Sequence, residues 1–298
     1  MRSEGGRKME INGYTRVCGL IGNPVEHTMS PAIQNTLASA MGENLVYVPF
    51  RVPAGQVKEA VEGALALNLL GCNVTVPYKS DVMPYLSEVD GLAEKIGAVN
   101  TLVRVPGGFK GYNTDMPGLY RAMCEDGVKI ENEEVLILGA GGVARAVAML
   151  LAEKGAARAF LLNRTVEKAK ELAEEVNRIA GREFACALAL EEHRRLSGEK
   201  AYLCIQATNV GMFPKTEEAV IEDEAFYRKL HTGYDLIFNP AKTRFMELTQ
   251  KAGGRAFNGL KMLLWQGVIA YELWTGRQVD NNVAGQAYEA MMKAMHAD

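Results

Sequence analysis

The stretch EEVLILGAGGVARAVAMLLAEKGAARAFLLNR, residues 133–164, decides the fold of this chain. An apolar run at 135–138 leads into the small-residue turn GAGGVA at 139–144. A helical pattern continues to Lys154, and a second apolar run at 159–162 follows it. A strand, a glycine turn, a helix and a second strand within about 30 residues are typical of the βαβ unit that binds dinucleotides.

The turn has the pattern G-x-G-x-x-A, in which each small residue has a physical reason. Gly139 allows the tight turn, Gly141 leaves room for a pyrophosphate, and Ala144 lets the helix pack closely on the strand. We expect the pyrophosphate at the helix N-terminus, where unpaired N–H groups and the helix dipole favour an anion. A purely structural glycine turn is the alternative. The predicted cofactor-binding residues of the turn are Gly139, Ala140, Gly141, Gly142, Val143 and Ala144.

The end of the second strand indicates which dinucleotide would bind. An NAD site usually places Asp or Glu there, to bind the ribose 2′-hydroxyl. This chain has Asn163, Arg164 and Thr165 instead. Nothing acidic would repel a 2′-phosphate, and the planar guanidinium of Arg164 can bind one. The pattern therefore favours NADP(H), with a solvated arginine after a strand as the alternative.

Composition and charge exclude several classes of protein. The chain has 298 residues, 48% of them hydrophobic and 23% charged, which is ordinary for a globular protein of two domains. A net charge of −3 without a basic run argues against nucleic-acid binding, and no apolar stretch is long enough to span a membrane. The first residues show no secretory signal.

The five cysteines and four histidines are scattered rather than clustered. Their spacing argues against a metal site and favours reduced thiols in a cytoplasmic protein. A small molecule is the expected partner. The sequence leaves the oligomeric state open, with a homodimer as one expectation.

Strand and helix patterns predict an α/β fold in two parts. Residues 11–115 alternate strand and helix and end in a hairpin, which predicts a compact domain with a mostly parallel sheet. Residues 116–254 predict a Rossmann-like doubly wound unit with further strands, and two helices at 259–275 and 283–296 are expected to return to the first domain. The further strands are predicted at 184–188, 201–207 and 234–238. The predicted domains are 1–115 with 255–298 for substrate, and 116–254 for NADP.

Polar residues collect where the predicted strands of the first domain end. Ser30 follows the first strand, Thr75 lies near the end of the third, and Lys79 follows the third. Asn100 and Asp115 lie at the two ends of the hairpin. Because ligands of open α/β sheets bind outside the carboxyl ends of the strands, these groups suit a small, polyhydroxylated, anionic substrate. A Lys near an Asp can pass a proton to a carbonyl oxygen while hydride arrives from a nicotinamide.

Three of these residues also have a purely structural interpretation. Ser30 precedes Pro31 at the start of a predicted helix, where serine is a good N-cap. Asp115 stands before a second predicted helix and can cap it in the same way. Lys79 lies in a turn, where most lysines are simply solvated.

These residues, in this order, resemble the shikimate dehydrogenase family. The similarity covers about residues 20 to 270, nearly the whole chain. It implies a substrate domain, a Rossmann cofactor domain, and the reversible reduction of 3-dehydroshikimate to shikimate with NADPH in the chorismate pathway to aromatic amino acids. The matching stretches are GNPVEHTMSP, NVTVPYKS, GAVNT, GYNTD, GAGGVARA, NRT, ATNVGM, DLIFNPAKT and NGLKMLLWQG.

The resemblance also implies a role for each matching residue. Lys79 and Asp115 correspond to the catalytic pair: Lys79 gives a proton to the keto oxygen, and Asp115 orients it and binds an adjacent hydroxyl. The implied substrate-binding residues are Thr28, Ser30, Thr75, Asn100, Asp115 and Gln266. Further cofactor-binding residues, near the ribose and the nicotinamide, are Thr208, Asn209 and Gly259.

Two residues depart from the family pattern. Thr28 stands where the family usually has serine, and Phe238 stands where it commonly has tyrosine. Both belong to the region that would meet the substrate carboxylate, so the preference between shikimate and quinate stays open. The alternatives are a quinate/shikimate dehydrogenase that also uses NAD, and a non-catalytic NADP-binding sensor on the same scaffold. A dehydrogenase of a related aminated ring is a third, against which the hydroxyls of Thr28, Ser30 and Thr75 argue.

Overall fold

The computed structural model describes residues 11–199 and 201–295. The chain divides into two compact units, and both divisions fall inside a helix. The first unit comprises the described residues up to Gly118 and from Leu264 onward, and the second is Leu119–Leu263. The assignment of substrate to 1–115 with 255–298, and of NADP to 116–254, stays a prediction, because compactness does not say what either unit binds. None of the helices in the described ranges is both long and apolar enough to cross a membrane.

The first unit is built on a six-stranded sheet in the order β2-β1-β3-β5-β6-β4. Its first three strands run parallel, while β5 is antiparallel to both of its neighbours, β3 and β6. The predicted mostly parallel sheet with a terminal hairpin is therefore confirmed. The strands are β1 (Arg16–Gly22), β2 (Leu45–Arg51), β3 (Gly71–Val74), β4 (Glu88–Val89), β5 (Thr101–Val105) and β6 (Gly108–Tyr112).

The second unit has a six-stranded sheet in the order β12-β11-β10-β7-β8-β9. All of its strand pairs are parallel. Counted within the unit, the order is 3-2-1-4-5-6, which is that of the Rossmann fold and confirms the doubly wound prediction. The strands are β7 (Glu134–Leu138), β8 (Arg158–Asn163), β9 (Ala185–Ala189), β10 (Tyr202–Gln206), β11 (Leu230–Asp235) and β12 (Arg255–Phe257).

Helices follow most strands, and their ends agree with the local sequence. In α3 the Asp90 side chain accepts a hydrogen bond from the N–H of Leu92 at 3.0 Å, and Gly97 ends the helix with a φ of 71°. Both are standard helix-capping devices. The helices are α1 (Ser30–Ala40), α2 (Val57–Ala66), α3 (Gly91–Ile96), α4 (Asp115–Glu125), α5 (Gly142–Glu153), α6 (Val166–Ala180), α7 (Glu224–Tyr227), α8 (Arg244–Lys251), α9 (Leu260–Thr275) and α10 (Asn281–Met295).

The capping roles considered for Ser30 and Asp115 are wrong. Ser30 is the first residue of α1 rather than its N-cap, and its own N–H donates to Thr28 Oγ1 at 3.2 Å. Asp115 is likewise the first residue of α4. The Ser30 side chain therefore does not cap α1, and Asp115 begins α4 rather than preceding it; a binding role for either residue stays a prediction.

The strand predicted at 234–238 begins earlier, at Leu230, and ends at Asp235. The start of this strand was not predicted, because a glycine and two polar residues interrupt the apolar pattern of LHTGYD. Gly233 is required by packing: a Cβ there would lie 2.9 Å from both Phe245 Cε1 and Thr249 Oγ1 of α8. The strand ends where Asp235 Oδ1 accepts the N–H of Ile237 at 3.0 Å, which turns the chain away from the sheet.

Candidate active site

Lys79 and Asp115, which are 36 residues apart in the chain, form a direct ion pair in the first unit. Lys79 Nζ lies 2.6 Å from Asp115 Oδ2, and the two side chains are 34% and 18% exposed. The turn after β3 is fixed because Lys79 O accepts the N–H of Val99 at 2.7 Å. The pair is thus held by the ends of two different elements, and it keeps enough exposure to meet a ligand.

Asn100 holds the turn that carries Asp115. It is only 3% exposed, and its Oδ1 accepts the N–H of Thr114 at 2.7 Å and the hydroxyl of Thr114 at 3.1 Å. Its Nδ2 has no hydrogen-bond partner among the described residues, so two N–H bonds remain for a ligand. Asn100 therefore positions Asp115 and can itself bind a hydroxyl.

A buried network of hydrogen bonds holds the backbone carbonyl of Asn100. The hydroxyl of Tyr47 donates to Asn73 Oδ1 at 2.8 Å, and Asn73 Nδ2 donates to Thr101 Oγ1 at 3.0 Å and to the carbonyl of Asn100 at 3.2 Å. Burial raises the pKa of Tyr47 well above its usual value, so its hydroxyl stays a donor. Asn73 therefore has a structural role here.

Thr75 and the residues after β1 complete the polar edge of the first unit. The N–H of Thr75 donates to the carbonyl of Ile21 at 2.9 Å, next to the end of β1. A Cβ on Gly22 would lie 2.3 Å from Thr75 Cγ2, so only glycine lets these two strand ends approach so closely. Thr28 is half-buried and Ser30 is 9% exposed, so the loop from β1 to α1 brings two hydroxyls to the first unit.

Gln266 belongs to the same unit through the middle of α9. It is half-buried on a helix whose neighbouring residues Leu264, Trp265 and Gly267 are buried. The first unit therefore contains all of the residues predicted for catalysis and for substrate. These are Thr28, Ser30, Thr75, Lys79, Asn100, Asp115 and Gln266.

The glycine turn of the second unit has the geometry of an anion-binding site. Gly139 has a φ of 116°, which L side chains rarely adopt, and a Cβ there would lie 2.9 Å from Thr208 Cγ2. Gly141 and Gly142 face open space, with nothing within 4 Å of a Cβ on either. Gly141 is the N-cap of α5 and provides no side-chain cap, so the first N–H groups of the helix are left for a ligand. These features fit a pyrophosphate.

The end of β8 carries exposed cationic groups. Arg164 and Thr165 are exposed, and Asn163 Nδ2 donates to the carbonyl of Thr165 at 2.8 Å, which fixes the turn before α6. Lys168 is exposed in the first turn of α6. Lys168 was not predicted from the sequence, although its position three residues after Thr165 was the available signal. Arg164 and Lys168 together suit a phosphate.

Two buried polar residues, missed from the sequence, hold the loops after β10 and β11. Gln206, the last residue of β10, accepts the N–H of Thr208 at 2.6 Å and donates to the carbonyl of Val210 at 3.1 Å. Asp235, fully buried at the end of β11, accepts the hydroxyl of Thr243 at 2.6 Å. Burial raises the pKa of Asp235 to about 6. A polar residue that ends an apolar strand was the signal for Gln206, whereas Asp235 fell inside the strand predicted at 234–238.

The remaining cofactor candidates lie on these loops or beside them. Thr208 is half-buried and Asn209 is exposed. Gly259 donates its N–H to the carbonyl of Ile237 at 2.9 Å, and a Cβ on it would lie 2.3 Å from the carbonyl oxygen of Leu236. Gly259 is therefore required for close packing as well as being a candidate for binding. Phe238 is 37% exposed on the same connection.

Three models of protein families match the chain. Residues 20–102 match the shikimate dehydrogenase substrate binding domain. Residues 122–194 match the family described as shikimate / quinate 5-dehydrogenase. Residues 259–296 match the shikimate 5′-dehydrogenase C-terminal domain. The three matches follow the chain in order and fall on both structural units.

Individual proteins are similar over nearly the whole chain. A shikimate dehydrogenase (NADP(+)) of Carboxydothermus hydrogenoformans is 41% identical, covering 90% of this chain and 94% of the relative. A crystal structure of a shikimate dehydrogenase in complex with NADP+ has a TM-score of 0.86 at 36% identity, covering 95% and 97% of the two chains. A Listeria monocytogenes shikimate 5-dehydrogenase in complex with shikimate and NAD has a TM-score of 0.86 at 32% identity, covering 96% and 98%.

Proposed function

The chain belongs to the shikimate dehydrogenase family, and on that premise we propose that it reversibly reduces 3-dehydroshikimate to shikimate with NADP(H). It is an NADP-dependent oxidoreductase of aromatic amino acid biosynthesis. The observation that supports the reaction best is the 2.6 Å contact between Lys79 Nζ and Asp115 Oδ2, because it joins a proton donor to a carboxylate at a polar strand edge. The quinate enzyme with NAD, and the non-catalytic sensor, are not favoured by the relatives that the chain matches.

Lys79 and Asp115 divide the chemistry between them. When bound, NADPH supplies hydride to the keto carbon. The ammonium of Lys79 donates a proton from Nζ to the keto oxygen as negative charge develops on it. Asp115 accepts a hydrogen bond from Lys79, which orients the ammonium, and its other oxygen is available to a neighbouring ring hydroxyl. In the reverse direction Lys79 takes the proton back.

The remaining polar residues of the first unit bind and orient the ring. The hydroxyls of Thr28 and Ser30 bind the carboxylate, together with Gln266. Thr75 and Asn100 bind ring hydroxyls, for which Asn100 has two N–H bonds left. A site of hydroxyls and amides rejects analogues that lack a hydroxyl, since its buried polar groups would be left unpaired.

The second unit has groups that suit both the pyrophosphate and the 2′-phosphate of NADP(H). The open backbone at Gly141 and Gly142 and the N-terminus of α5 accept the pyrophosphate. Exposed Arg164 binds the 2′-phosphate, supported by Lys168 one helical turn away. The ribose and nicotinamide are assigned to Thr208, Asn209 and Gly259.

The experiment that tests this function is a four-way assay of the purified protein. Shikimate and quinate are each oxidised with NADP+ and with NAD+, and kcat/KM is measured for every combination. We expect the highest value for shikimate with NADP+. A higher value for quinate with NAD+ would overturn the proposal, and absence of turnover with all four combinations would favour the sensor.

Two expectations about the whole protein belong to this proposal. The five cysteines are free thiols, which suits the reducing cytoplasm that the sequence predicts.

A homodimer would have twice the 32.5 kDa of the chain, and sedimentation equilibrium distinguishes the two masses. A mass of one chain at micromolar concentration would refute the dimer.

A further inference from the structure

Gly118 brings α4 into backbone contact with α9 at Gln266. A Cβ built on Gly118 would lie 2.6 Å from the backbone N of Gln266, 2.9 Å from its Cα and 3.0 Å from its Cβ. Real Cβ atoms essentially never come within 3.0 Å of another heavy atom, and two of these three atoms belong to the backbone of a helix. The contact therefore cannot be relieved by rotating a side chain, and any residue larger than glycine would push the Gln266 segment away.

Gln34 touches the same segment of α9 from another helix. It is 1% exposed, and its Nε2 donates to the carbonyl of Gly267 at 2.8 Å. A Cβ on Gly267 would lie 3.2 Å from Ile33 Cγ2 and 3.3 Å from Gln34 Nε2, so α1 and α9 are also closely packed here. The Gln266–Gly267 segment is thus held by α4 at one residue and by α1 at the next.

Gln34 lowers the stability of the fold relative to an apolar residue at this position, so stability alone does not explain it. Its Oε1 is buried without a hydrogen-bond partner among the described residues. An unsatisfied buried acceptor costs about 1–3 kcal/mol, so an apolar side chain of the same size would stabilise the fold as well or better. What the amide provides, and an apolar group does not, is the directional bond to Gly267.

Both helices carry a substrate-binding candidate about one turn before the residue that touches α9. Ser30 precedes Gln34 by four residues on α1, and Asp115 precedes Gly118 by three on α4. Residues three and four apart share one face of a helix. Each helix therefore relates a group of the proposed site to the Gln266 segment through a rigid turn.

We propose that Gly118 and Gln34 are positioning residues that set where Gln266 lies relative to Asp115 and Ser30, which rests on the proposed function. Neither residue reacts or binds the substrate. A shift of about 1 Å in a binding group can lower the efficiency of a reaction by about a hundredfold. The two contacts prevent such a shift, because α9 can neither approach α4 more closely nor turn about its own axis without breaking the bond to Gln34.

The test compares Gly118→Ala with Gly285→Ala. Gly285 is exposed on α10, and nothing lies within 4 Å of a Cβ there, so it controls for adding a methyl group to a helix. For Gly118→Ala we expect the KM for shikimate to rise about tenfold or more while the KM for NADP+ stays within about twofold. Gly285→Ala should leave both KM values unchanged. If Gly118→Ala only disturbed folding, the amount of active enzyme would fall, but the KM for shikimate would not rise relative to the KM for NADP+.

Gln34→Met provides a second test that does not depend on whether Gly118→Ala folds. Methionine has a similar length and removes the bond to Gly267, and it removes the unsatisfied oxygen as well. We expect the melting temperature to stay the same or rise while the KM for shikimate increases about threefold or more, since one hydrogen bond that fixes α9 is lost. Such a combination would not result from loss of stability.

The outcomes separate this proposal from the proposed function. Wild-type protein that fails to oxidise shikimate with NADP+ would refute the function and the positioning roles together. Wild-type protein that is active, while folded Gly118→Ala or Gln34→Met keeps the wild-type KM for shikimate, would refute only the positioning role of that residue. A selective rise in the KM for shikimate in both variants supports it.

Discussion

Lys79 is the residue whose loss removes the proposed proton donor. In Lys79→Ala, Asp115 remains but nothing replaces the ammonium that lies 2.6 Å from its Oδ2. We expect kcat for shikimate oxidation to fall by about 10² to 10⁴, the usual contribution of general acid–base catalysis. The KM for NADP+ should not change, because the cofactor candidates lie in the other unit.

Lys58→Ala serves as the matched control for this change. Lys58 is exposed on α2 of the same unit and is 3.8 Å from Glu62, so its loss removes an ordinary surface ion pair. A kcat for Lys79→Ala within about threefold of the control would rule out general acid–base catalysis by Lys79.

Arg164 is the residue that we propose to bind the 2′-phosphate of the cofactor. Arg164→Gln keeps a polar side chain of moderate length but removes the charge. We expect the KM for NADP+ to rise about tenfold or more, because a hydrogen bond to a charged group contributes about 1.5–3 kcal/mol. The KM for NAD+ should stay the same. Lys170→Gln, which removes an exposed cation of the nearby helix α6, is the control. An equal rise for both cofactors would show that Arg164 does not bind the 2′-phosphate.

Asp235 is expected to make stability depend on pH. Burial raises its pKa from 3.8 to about 6, so the folded protein holds this proton more tightly than the unfolded chain does. Ionisation above pH 6 therefore lowers stability, and this cost is relieved as the pH falls through about 6 toward 4. Relative to Asp235→Asn, the wild type should gain about 1 kcal/mol in free energy of unfolding between pH 7 and pH 5. Urea unfolding at both pH values measures it, and a constant difference would contradict it.

Residues that act locally could be found from the sequence, and residues that act through contacts between distant elements could not. Lys79, Asp115 and the glycine turn stand in recognisable motifs. Gly118 and Gln34 do not reveal their roles, because the partner of each is about 150 or more residues away in the chain. Gln206 is intermediate: its place near the end of a predicted strand was visible, but the loop it holds was not, and the end of a strand at Asp235 was missed.

Among the elements, the turn between β7 and α5 allows a sharp comparison of two glycines. Gly139→Ala places a methyl group at a φ of 116° and 2.9 Å from Thr208 Cγ2, so it should lower stability and raise the KM for NADP+. Gly141→Ala has open space and a φ of −90°, so stability should be kept. Its KM for NADP+ should still rise about tenfold or more, because the methyl group takes the place of the pyrophosphate.

Thermal unfolding and cofactor titration of both variants test this comparison. The two effects should separate only in Gly141→Ala, where binding is lost without loss of stability. An unchanged KM for NADP+ in Gly141→Ala would mean that the pyrophosphate does not approach the turn at this residue.

The strands that the sequence did not predict are the two shortest. The helix predicted at 259–275 is observed at Leu260–Thr275, because its apolar pattern is long. The two-residue strand β4 and the three-residue strand β12 are too short to show any period. The start of β11 was missed for another reason: packing against α8 demands a glycine at 233, and a glycine within a strand reads as a break.

For the molecule as a whole, the division into two units predicts that each ligand protects its own unit. The substrate candidates all lie in the first unit and the dinucleotide candidates all lie in Leu119–Leu263. Each unit has its own sheet and its own buried cluster of apolar side chains. A ligand that binds only the folded form at 100 times its Kd adds about 2.7 kcal/mol to the stability of what it binds, which slows exchange by opening about a hundredfold.

Hydrogen exchange followed by mass spectrometry measures this distribution. We expect NADP+ alone to slow exchange chiefly at 139–145 and 163–168, and shikimate alone to slow it chiefly at 75–79 and 98–115. Lys79→Ala, with shikimate, should keep protection at 98–105 because Asn100 and the hairpin do not depend on the ammonium. If shikimate alone protected 139–145 as strongly as NADP+ does, the two sites would not be assigned to separate units, and the glycine turn would take part in binding the ring.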